Sequence, residues 1–323
     1  MIDKNNCLVS IIMPTYNVEK YVAEAVESIL NQTFKDFEFI IIDDQSTDCT
    51  YEILEKFNRK DHRIRLYQNK INSGITPSLN KALKYAQGRY IARMDGDDVS
   101  IVSRIQEQLK YMSSNNNIDL IGSHIYHMDE GGCIVKRDAK LLDIYLINKV
   151  LPYAQPIPHV TWFAKKEVFD KVGSYHTHSP AQDYDFILRM KTLGLKFVNI
   201  DIYSVKVRMG RQGNVASIAE LKRRKAVNYM YRRFREREKF GIDNHTDTFL
   251  QNYIESSDIM TNLHGWSQSI FNYGLIKLKS NLTLKGVFLI ILSSFVSPYQ
   301  MQYLLRLLRY KIVVKFSSNK PQN

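Results

Sequence analysis

The sequence is poor in cysteine, with three cysteines, Cys7, Cys49 and Cys133, among 323 residues. Because they are few, odd in number and widely spaced, they form neither a disulfide framework nor a zinc-ligand pattern, which is typical of a reducing cytoplasm. The N-terminal segment lacks the apolar core of a signal peptide. The only long apolar run, from Gly286 to Pro298, is short and interrupted by serines, whereas spanning a bilayer takes about 20 residues. We therefore expect a cytoplasmic protein.

Acidic residues are also scarce relative to basic ones. Lysine and arginine number 45 against 33 aspartates and glutamates, which gives a net charge of +12. This excess predicts an anionic partner, and nucleic acid, acidic lipid headgroups and phosphorylated substrates all match its sign. The 44% apolar and 11% aromatic content indicates a globular chain, long enough for one large domain with an extension.

The first hundred residues alternate between strand and helix patterns. Buried-strand patterns cover residues 8–13, 37–42, 64–67 and 90–94, and helical apolar periodicity fills the intervals, with Asn17 as a helix N-cap and Thr76–Pro77 opening the third helix. Such alternation predicts an α/β fold with a mostly parallel sheet between helices. The chain becomes strongly basic after residue 206 and helical in pattern after 249. We therefore expect a domain at residues 1–215 and a helical extension at residues 216–323.

Polar clusters follow three strands of this sheet, at residues 15–17 (TYN), 43–44 (DD) and 95–98 (DGDD). Ligands of parallel sheets bind beyond the carboxyl ends of the strands, so these clusters predict one site. Neighbouring carboxylates repel one another unless a cation or hydrogen bonds offset the charge. Mg²⁺ or Mn²⁺ held by one or two carboxylates and substrate phosphates is a common arrangement. A solvated acidic turn is the alternative for residues 95–98.

A further acidic cluster, at residues 182–185 (QDYD), precedes an apolar helical pattern. An aspartate at a helix start stabilises the helix dipole. It is equally the simplest group to deprotonate an attacking sugar hydroxyl. Both interpretations stay open on these residues alone.

Taken in order, these motifs resemble the family-2 inverting glycosyltransferases, which have the type-A nucleotide-sugar fold. The matching segments are residues 9–17 (VSIIMPTYN), 28–33 (SILNQT), 41–48 (IIDDQSTD), 88–98 (GRYIARMDGDD) with Arg104 and Gln108, and 172–189. The resemblance covers about residues 8–200. Two positions depart from it: Gln182 replaces a common glutamate, and Gln45 stands where glycine or asparagine is commoner.

The resemblance implies a role for each matching residue. Pro14, Thr15 and Tyr16 would line the pocket of the nucleobase; Asp44 would bind the base, Asp95 the ribose or the metal, and Asp97 the metal; Asp183 would be the catalytic base; His159 would contact the acceptor or phosphates, or be structural.

The resemblance also implies a reaction. This is the metal-dependent, inverting transfer of a hexosyl or N-acetylhexosaminyl group, with Mn²⁺ or Mg²⁺ as cofactor. The donor would be a nucleotide-diphosphate sugar, with UDP favoured and GDP and dTDP open. The acceptor would be a glycan or a lipid-diphosphate-linked glycan, in the biosynthesis of a bacterial surface polysaccharide such as O-antigen or capsule.

Two basic regions lie beyond the resemblance. A solvated helix face explains residues 222–237, whereas residues 285–315 alternate apolar blocks with basic residues. The second pattern predicts peripheral binding to the anionic inner face of a membrane, with packing on the catalytic domain as the alternative.

Two other functions compete with sugar transfer. A nucleotidyltransferase needs a glycine-rich, basic loop after the first strand, which residues 14–17 lack. A non-catalytic module binding membrane or nucleic acid leaves the acidic strand ends unexplained, since carboxylates repel phosphate. We therefore expect no nucleic-acid partner.

Overall fold

The computed structural model describes residues 7–176, 179–209, 217–280 and 282–317. The chain forms two compact units that are discontinuous in sequence. The first comprises Met1–Ile147, Pro156–Thr177 and Arg189–Arg211, and the second comprises Asn148–Gln155, His178–Leu188 and Gln212–Asn323. The predicted boundary near residue 215 lies outside the described residues, and the division at that point stays a prediction.

The first unit is built on a nine-stranded sheet. In chain order its strands are β1 (Val9–Thr15), β2 (Phe37–Asp43), β3 (Ile64–Gln68), β4 (Tyr90–Arg93), β5 (Val99–Ser100), β6 (Leu120–Met128), β7 (Ile134–Asp138), β8 (Phe163–Lys165) and β9 (Phe197–Arg208). Their order across the sheet is β3-β2-β1-β4-β8-β6-β9-β5, and β7 pairs with β6. The helices are α1 (Val22–Leu30), α2 (Thr50–Lys60), α3 (Ile75–Tyr85), α4 (Arg104–Ser114), α5 (Ile144–Val150), α6 (Lys166–Val172) and α7 (Gln182–Thr192). Helices α5 and α7 each have residues in both units.

The four strands predicted from the sequence form one parallel part of the sheet, and β6 and β9 form another. Every residue of β1 and β2 is buried, as their nearly unbroken apolar sequences require of strands covered on both faces. Strand β1 pairs in parallel with both β2 and β4, and Thr15 lies opposite Asp43 at the shared end. The α/β prediction is confirmed, and the register places the three polar clusters at one sheet edge.

Two predicted helix starts are wrong. Helix α1 begins at Val22, because Asn17 adopts a left-handed backbone with φ of 50°. Its side-chain oxygen instead accepts a hydrogen bond of 2.8 Å from the backbone N–H of Thr47. Helix α3 begins at Ile75 after Gly74, so that Thr76 and Pro77 lie inside its first turn. Asparagine tolerates the left-handed region better than most residues, which allows it to serve as a loop residue here.

Among the described residues after 216, the second unit contains five helices. They are α8 (Ser217–Phe240), α9 (Asp247–Ile254), α10 (Asp258–Lys279), α11 (Thr283–Val296) and α12 (Pro298–Ser317), which confirms the predicted C-terminal helices. Within the described part of the chain, no helix combines the length and apolar character needed to cross a membrane.

Part of the positive charge of the basic helix α8 is paired within the helix. Arg223 and Arg224 both pair with Glu220 at 2.9 Å, and Arg232 pairs with Glu236 at 3.1 Å. Pairs at these spacings stabilise a helix modestly. The explanation of residues 222–237 as a solvated helix face therefore fits the exposed Arg223 and Arg232, but not Arg224, Lys225 and Arg237, which are buried.

Candidate functional site

A cavity of about 270 Å³ lies at the edge where β1, β2 and β4 end. It is lined by Pro14, Thr15, Tyr16, Val18, Asp44, Asn72, Gly74, Ile75, Asp95, Gly96 and Asp97. The structure therefore brings together, in one unit, all the residues predicted to bind the nucleotide or the metal. Residues 72–75 form a further wall of the cavity, which was not predicted from the sequence. The asparagine, serine and glycine after β3 were the available signal for it, since such residues favour turns.

The two aspartates that follow β2 have different surroundings. Asp43 is fully buried and accepts hydrogen bonds from the hydroxyl and the N–H of Ser46, at 2.5 and 3.1 Å. Asp44 lines the cavity and accepts from the N–H groups of Ser73 and Gly74, at 3.0 and 2.7 Å. Asp43 thus fixes the strand end, while Asp44 holds the 72–75 wall beside the cavity.

Asp44 keeps some capacity to bind a ligand. Besides the two backbone donors, it accepts a hydrogen bond of 2.7 Å from the side-chain amide of Asn69. A carboxylate has about four acceptor positions, so three bonds leave room for one donor from a ligand. The N–H of a nucleobase is a donor of that kind.

The acidic turn after β4 places its three carboxylates in distinct environments. Asp95 and Asp97 are half-buried and line the cavity, and Asp95 pairs with the buried guanidinium of Arg93. Asp98 is buried and accepts a hydrogen bond of 2.9 Å from the N–H of Arg208. Burial, followed by the charges of Asp95 and Asp97, raises the pKa of Asp98 well above its ordinary value. The turn therefore presents two carboxylates to the cavity and keeps the third inside.

Gly96 lies at the closest approach between this turn and β1. A Cβ atom at this position would lie 2.8 Å from Cγ2 of Thr15 and 3.3 Å from Cγ2 of Val18. A larger residue would push the turn away from β1, so glycine is required for the two walls of the cavity to meet.

Arg208, at the end of β9, holds the acidic turn from behind. Its Nε donates to the carbonyl of Asp97 at 3.0 Å, and its other nitrogens donate to the carbonyl of Glu130 at 2.7 Å and to the carboxylate of Glu24 at 2.5 Å. Its guanidinium also stacks over the ring of Tyr21, 4.4 Å from the centroid. Sequence analysis missed Arg208, because it lies beyond the last recognised motif and nothing local marks it.

His159 lies in a buried network behind the acidic turn. Its Nε2 is 3.0 Å from the hydroxyl of Tyr175, and its ring packs edge-on against Trp162, with centroids 4.5 Å apart. The side chain of His159 is half-buried. Desolvation by the surrounding groups, followed by the charge of Arg93, lowers the pKa of His159 well below its ordinary value. A neutral imidazole is therefore expected here, and its contact with an acceptor or phosphate stays a prediction.

Arg104 and Gln108, two further residues of the resemblance, support this region through backbone carbonyls. Arg104 donates to the carbonyls of Arg93 and Val160, at 2.8 and 3.0 Å, and Gln108 donates to that of Thr161 at 2.7 Å. Burial, followed by the charge of Arg93, lowers the pKa of Arg104 to about 9. Both residues join the end of β4 to the turn at residues 159–161.

Asp183, the predicted catalytic base, belongs to the second unit and is the second residue of α7. It is half-buried, and its charge interacts with that of Arg223 on α8. Asp185 is buried, as are the apolar residues that follow it in the helix: Phe186, Ile187, Leu188 and Met190. The predicted buried face of the helix is therefore present, and the role of Asp183 stays a prediction.

The cavity fits a divalent ion that is shared with a ligand. Among the residues that the structure describes, no three His, Cys, Asp or Glu side chains come together in a way that could hold a metal. Asp95 and Asp97 offer carboxylate oxygens, which Mg²⁺ and Mn²⁺ prefer. An ion here would therefore take at most two protein ligands from the turn and complete its shell with phosphate and water oxygens, as Mg²⁺ commonly does.

The sequence profile of glycosyl transferase family 2 matches residues 10–173, about half of the chain. The chain belongs to glycosyl transferase family 2. The match includes every residue that lines the cavity. The resemblance found in the sequence motifs is confirmed.

Relatives among curated proteins include enzymes of surface-polysaccharide synthesis. An uncharacterized glycosyltransferase of Methanocaldococcus jannaschii is 36% identical over 69% of this chain and 77% of its own length. The O-antigen biosynthesis glycosyltransferase WbnJ of Escherichia coli is 36% identical over 57% of this chain and 71% of its own. The UDP-Glc:alpha-D-GlcNAc-diphosphoundecaprenol beta-1,3-glucosyltransferase WfaP of Escherichia coli is 30% identical over 62% of this chain and 77% of its own.

Solved structures confirm the type-A glycosyltransferase fold. TarS 1-349 of S. aureus in complex with UDP-GlcNAc matches 98% of this chain and 93% of its own, with a TM-score of 0.57 and 15% identity. The mannosyltransferase PcManGT of Pyrobaculum calidifontis, in complex with GDP-Man and Mn²⁺, matches 99% of this chain and 89% of its own, with a TM-score of 0.56 and 14% identity.

Proposed function

We propose that this family-2 glycosyltransferase moves a sugar from a nucleoside-diphosphate donor to a glycan or lipid-linked glycan acceptor, with inversion at the anomeric carbon. The observation that carries the proposal is the cavity in which Tyr16, Asp44, Asp95 and Asp97 meet. It offers an aromatic ring, a buried carboxylate and two half-buried carboxylates that could hold a metal ion, which suit a base, a ribose and a metal-bound diphosphate.

The donor is assigned to this cavity by its chemistry. The ring of Tyr16 would lie against the base beside Pro14 and Thr15, and Asp44 would accept a hydrogen bond from it. Asp95 would face the ribose or the metal, and Asp97 would hold the ion. A bound Mn²⁺ or Mg²⁺ would stabilise the charge that develops on the departing diphosphate. UDP is favoured because WfaP is named for UDP-Glc and TarS binds UDP-GlcNAc, with GDP and dTDP as alternatives.

The proposed acceptor is supported by the names of relatives, and the proposed catalytic base is a residue of the second unit. WfaP is named for a diphosphoundecaprenol-linked acceptor, and a lipid-diphosphate-linked glycan at an anionic membrane surface is the corresponding partner here. Asp183 would take the proton of the acceptor hydroxyl as it attacks the anomeric carbon from the face opposite the diphosphate. The single displacement needs no covalent intermediate, and it inverts the configuration.

Titration calorimetry tests the donor site directly. UDP, GDP and dTDP would each be added to the protein with Mn²⁺ present. We expect one nucleotide to bind best. We also expect Asp97→Asn to weaken it by at least about tenfold, since even a hydrogen bond to a charged group is worth about 1.5–3 kcal/mol and a tenfold change corresponds to about 1.4 kcal/mol.

The matched control is Asp36→Asn. Asp36 is exposed and precedes β2, at the opposite end of that strand from Asp44, so this variant loses the same charge away from the cavity. Equal affinity in the presence of EDTA would contradict the metal assignment. Equal affinities of Asp97→Asn and Asp36→Asn would contradict the assignment of Asp97.

A further inference from the structure

Helices α10 and α11 pack against each other through glycine and small polar residues. A Cβ atom on Gly274 would lie 3.0 Å from the carbonyl oxygen of Gly286, and one on Gly286 would lie 2.8 Å from that of Gly274. The two backbones are therefore in direct contact, and no side chain fits between them at this point.

Hydrogen bonds continue the same interface. The hydroxyl of Ser267 donates to the carbonyl of Ser293 at 2.7 Å, and Nδ1 of His264 lies 2.9 Å from the hydroxyl of Ser297. All four of these side chains are fully buried. The interior of this helix pair thus contains two glycines and buried polar side chains, with Leu278 and Ile290 packed beside the glycines.

The large apolar side chains of the same helices face outward. On α11, Leu284 is 88% exposed, Phe288 62% and Phe295 74%. Further exposed apolar residues are Ile259, Trp266 and Ile276 on α10, and Leu305, Leu308, Ile312 and Phe316 on α12. We call the exposed apolar residues of these three helices the C-terminal apolar surface.

This arrangement inverts the pattern of a helix in water, which buries its large apolar residues and exposes its polar ones. It is the pattern of helices in lipid, where small residues let backbones approach, serine and histidine bond between helices, and apolar side chains face the hydrocarbon. Helix α11 has 14 residues, or about 21 Å at 1.5 Å per residue, against a hydrocarbon thickness of about 30 Å. Its length therefore suits entry into one leaflet.

Charge favours lipid over a second copy of the chain as the partner of this surface. From Ile259 to Asn323 the sequence contains no aspartate or glutamate. The same stretch contains Lys277, Lys279, Lys285, Arg306, Arg309, Lys311, Lys315 and Lys320. Two copies joined through this surface would bring like charges together, whereas anionic headgroups complement them.

We propose that the α10–α11 hairpin, together with the apolar face of α12, inserts into one leaflet of an anionic membrane. This insertion rests on the proposed function, in which a membrane-linked acceptor is the reason for binding the membrane. It adds how the enzyme would be held at that acceptor. Its evidence, however, is independent of the donor cavity.

Binding of the full-length chain to vesicles tests the insertion. The vesicles would contain phosphatidylcholine alone or with phosphatidylglycerol, and no nucleotide would be present. We expect co-sedimentation with the anionic vesicles and a decrease at high salt. Trp266 is the exposed member of the two tryptophans, while Trp162 is buried. On insertion, the fluorescence of Trp266 should therefore shift to the blue and be quenched by lipids brominated on their acyl chains.

The double variant Phe288→Ser/Phe295→Ser should bind at least about tenfold more weakly, since burying each phenyl group is strongly favourable. The matched control is Phe240→Ser/Phe249→Ser, because these phenylalanines are 60% and 68% exposed and lie outside the C-terminal apolar surface, on α8 and α9. The control should bind as the unaltered protein does.

Three results would overturn the proposal. The first is equal vesicle binding by the two double variants, and the second is that brominated lipids do not quench the fluorescence. The third is a dimer in the absence of lipid that Phe288→Ser/Phe295→Ser dissociates and the control variant does not, since the surface would then join two copies of the chain. Nucleotide calorimetry on the same proteins separates this proposal from the proposed function. Lost nucleotide binding with intact vesicle binding would count against the donor site alone, and the reverse would count against insertion alone.

Discussion

Replacing Arg208 with methionine would remove the group that holds the acidic turn from behind. The side chain is buried and joins the carbonyls of Asp97 and Glu130, while its own N–H bonds to Asp98. Methionine keeps the backbone N–H and much of the side-chain length, but it donates no hydrogen bonds. The change therefore isolates the guanidinium.

The expected loss of stability follows from the contacts. The carbonyl of Asp97 loses its bond of 3.0 Å, and those of Asp129 and Glu130 lose bonds of 3.2 and 2.7 Å. A hydrogen bond contributes about 1 kcal/mol, and a buried acceptor left without a donor costs about 1–3 kcal/mol. Because these three carbonyls belong to loops with partial access to water, we expect a loss of about 2–4 kcal/mol in unfolding free energy. The pair with the exposed carboxylate of Glu24 adds little.

The effect on nucleotide binding is the sharper readout. If Arg208 fixes the position of Asp97, Arg208→Met should weaken binding of nucleotide and Mn²⁺ by about tenfold, which corresponds to about 1.4 kcal/mol. Lys206→Met is the control, since it removes a positive charge two residues earlier on the same strand. Urea unfolding would measure stability and calorimetry would measure affinity.

A purely structural Arg208 gives a different result. Arg208→Met would then lose stability while the folded protein bound nucleotide and Mn²⁺ as tightly as Lys206→Met does. That outcome would refute the inference that Arg208 positions the acidic turn for its ligand.

Three further expectations concern single residues. Asp183→Asn should lower turnover by about 10²–10⁴-fold with little change in nucleotide affinity, whereas loss of turnover in Asp185→Asn instead would show that the wrong aspartate was chosen. Gln45 has a φ of 61°, and its side-chain amide donates to the carbonyls of Asn69 and Lys70. Gln45→Gly and Gln45→Ala both lose these bonds, but only glycine adopts this φ without strain, so the glycine variant should have the higher unfolding free energy, by about 1 kcal/mol; a glycine variant no more stable than the alanine variant would refute this. Burial and the charge of Arg224 lower the pKa of His264 from its ordinary value of about 6.5 to about 4. Between these pH values the unfolded chain binds a proton at this residue and the folded chain does not, so the unfolding free energy should decrease as the pH falls through this range. His264→Gln should therefore lose less stability over that range than the unaltered protein, and equal losses in urea unfolding would contradict the assignment.

The parallel strands and their polar ends could be predicted from the sequence because their signals are local. A strand buried on both faces, such as β2, needs a continuous apolar run, and its carboxyl end needs polar residues wherever a ligand binds. Two of the later strands had no such signal. Strand β8 has three residues and β5 has two, too few for a periodic pattern, and their pairing depends on tertiary contacts.

Other features were missed because the same residue type serves two purposes. Asn17 fits a helix N-cap and a left-handed loop residue equally well, and its bond to Thr47, distant in sequence, decides between them. Arg208 is an ordinary basic residue of a strand until the fold brings Asp97 and Glu130 to it. The apolar run at residues 286–298 differs from these, since it was expected either to lie on a membrane surface or to pack on the catalytic domain, and Gly286 packs against Gly274 while the large side chains of the run are exposed.

The two basic regions of the second unit show why composition needs contacts for its interpretation. In α8, Glu220 and Glu236 lie three or four residues from the four arginines that they bind, so part of the positive charge is neutralised within the helix. Residues 259–323 contain no acidic side chain that could do the same. This segment therefore combines uncompensated positive charge with an exposed apolar surface. Anionic lipid complements both, because its headgroups attract the charges and its acyl chains cover the apolar side chains. Of the two basic regions, we therefore assign the membrane contact to α10–α12 and a structural role to the charges of α8.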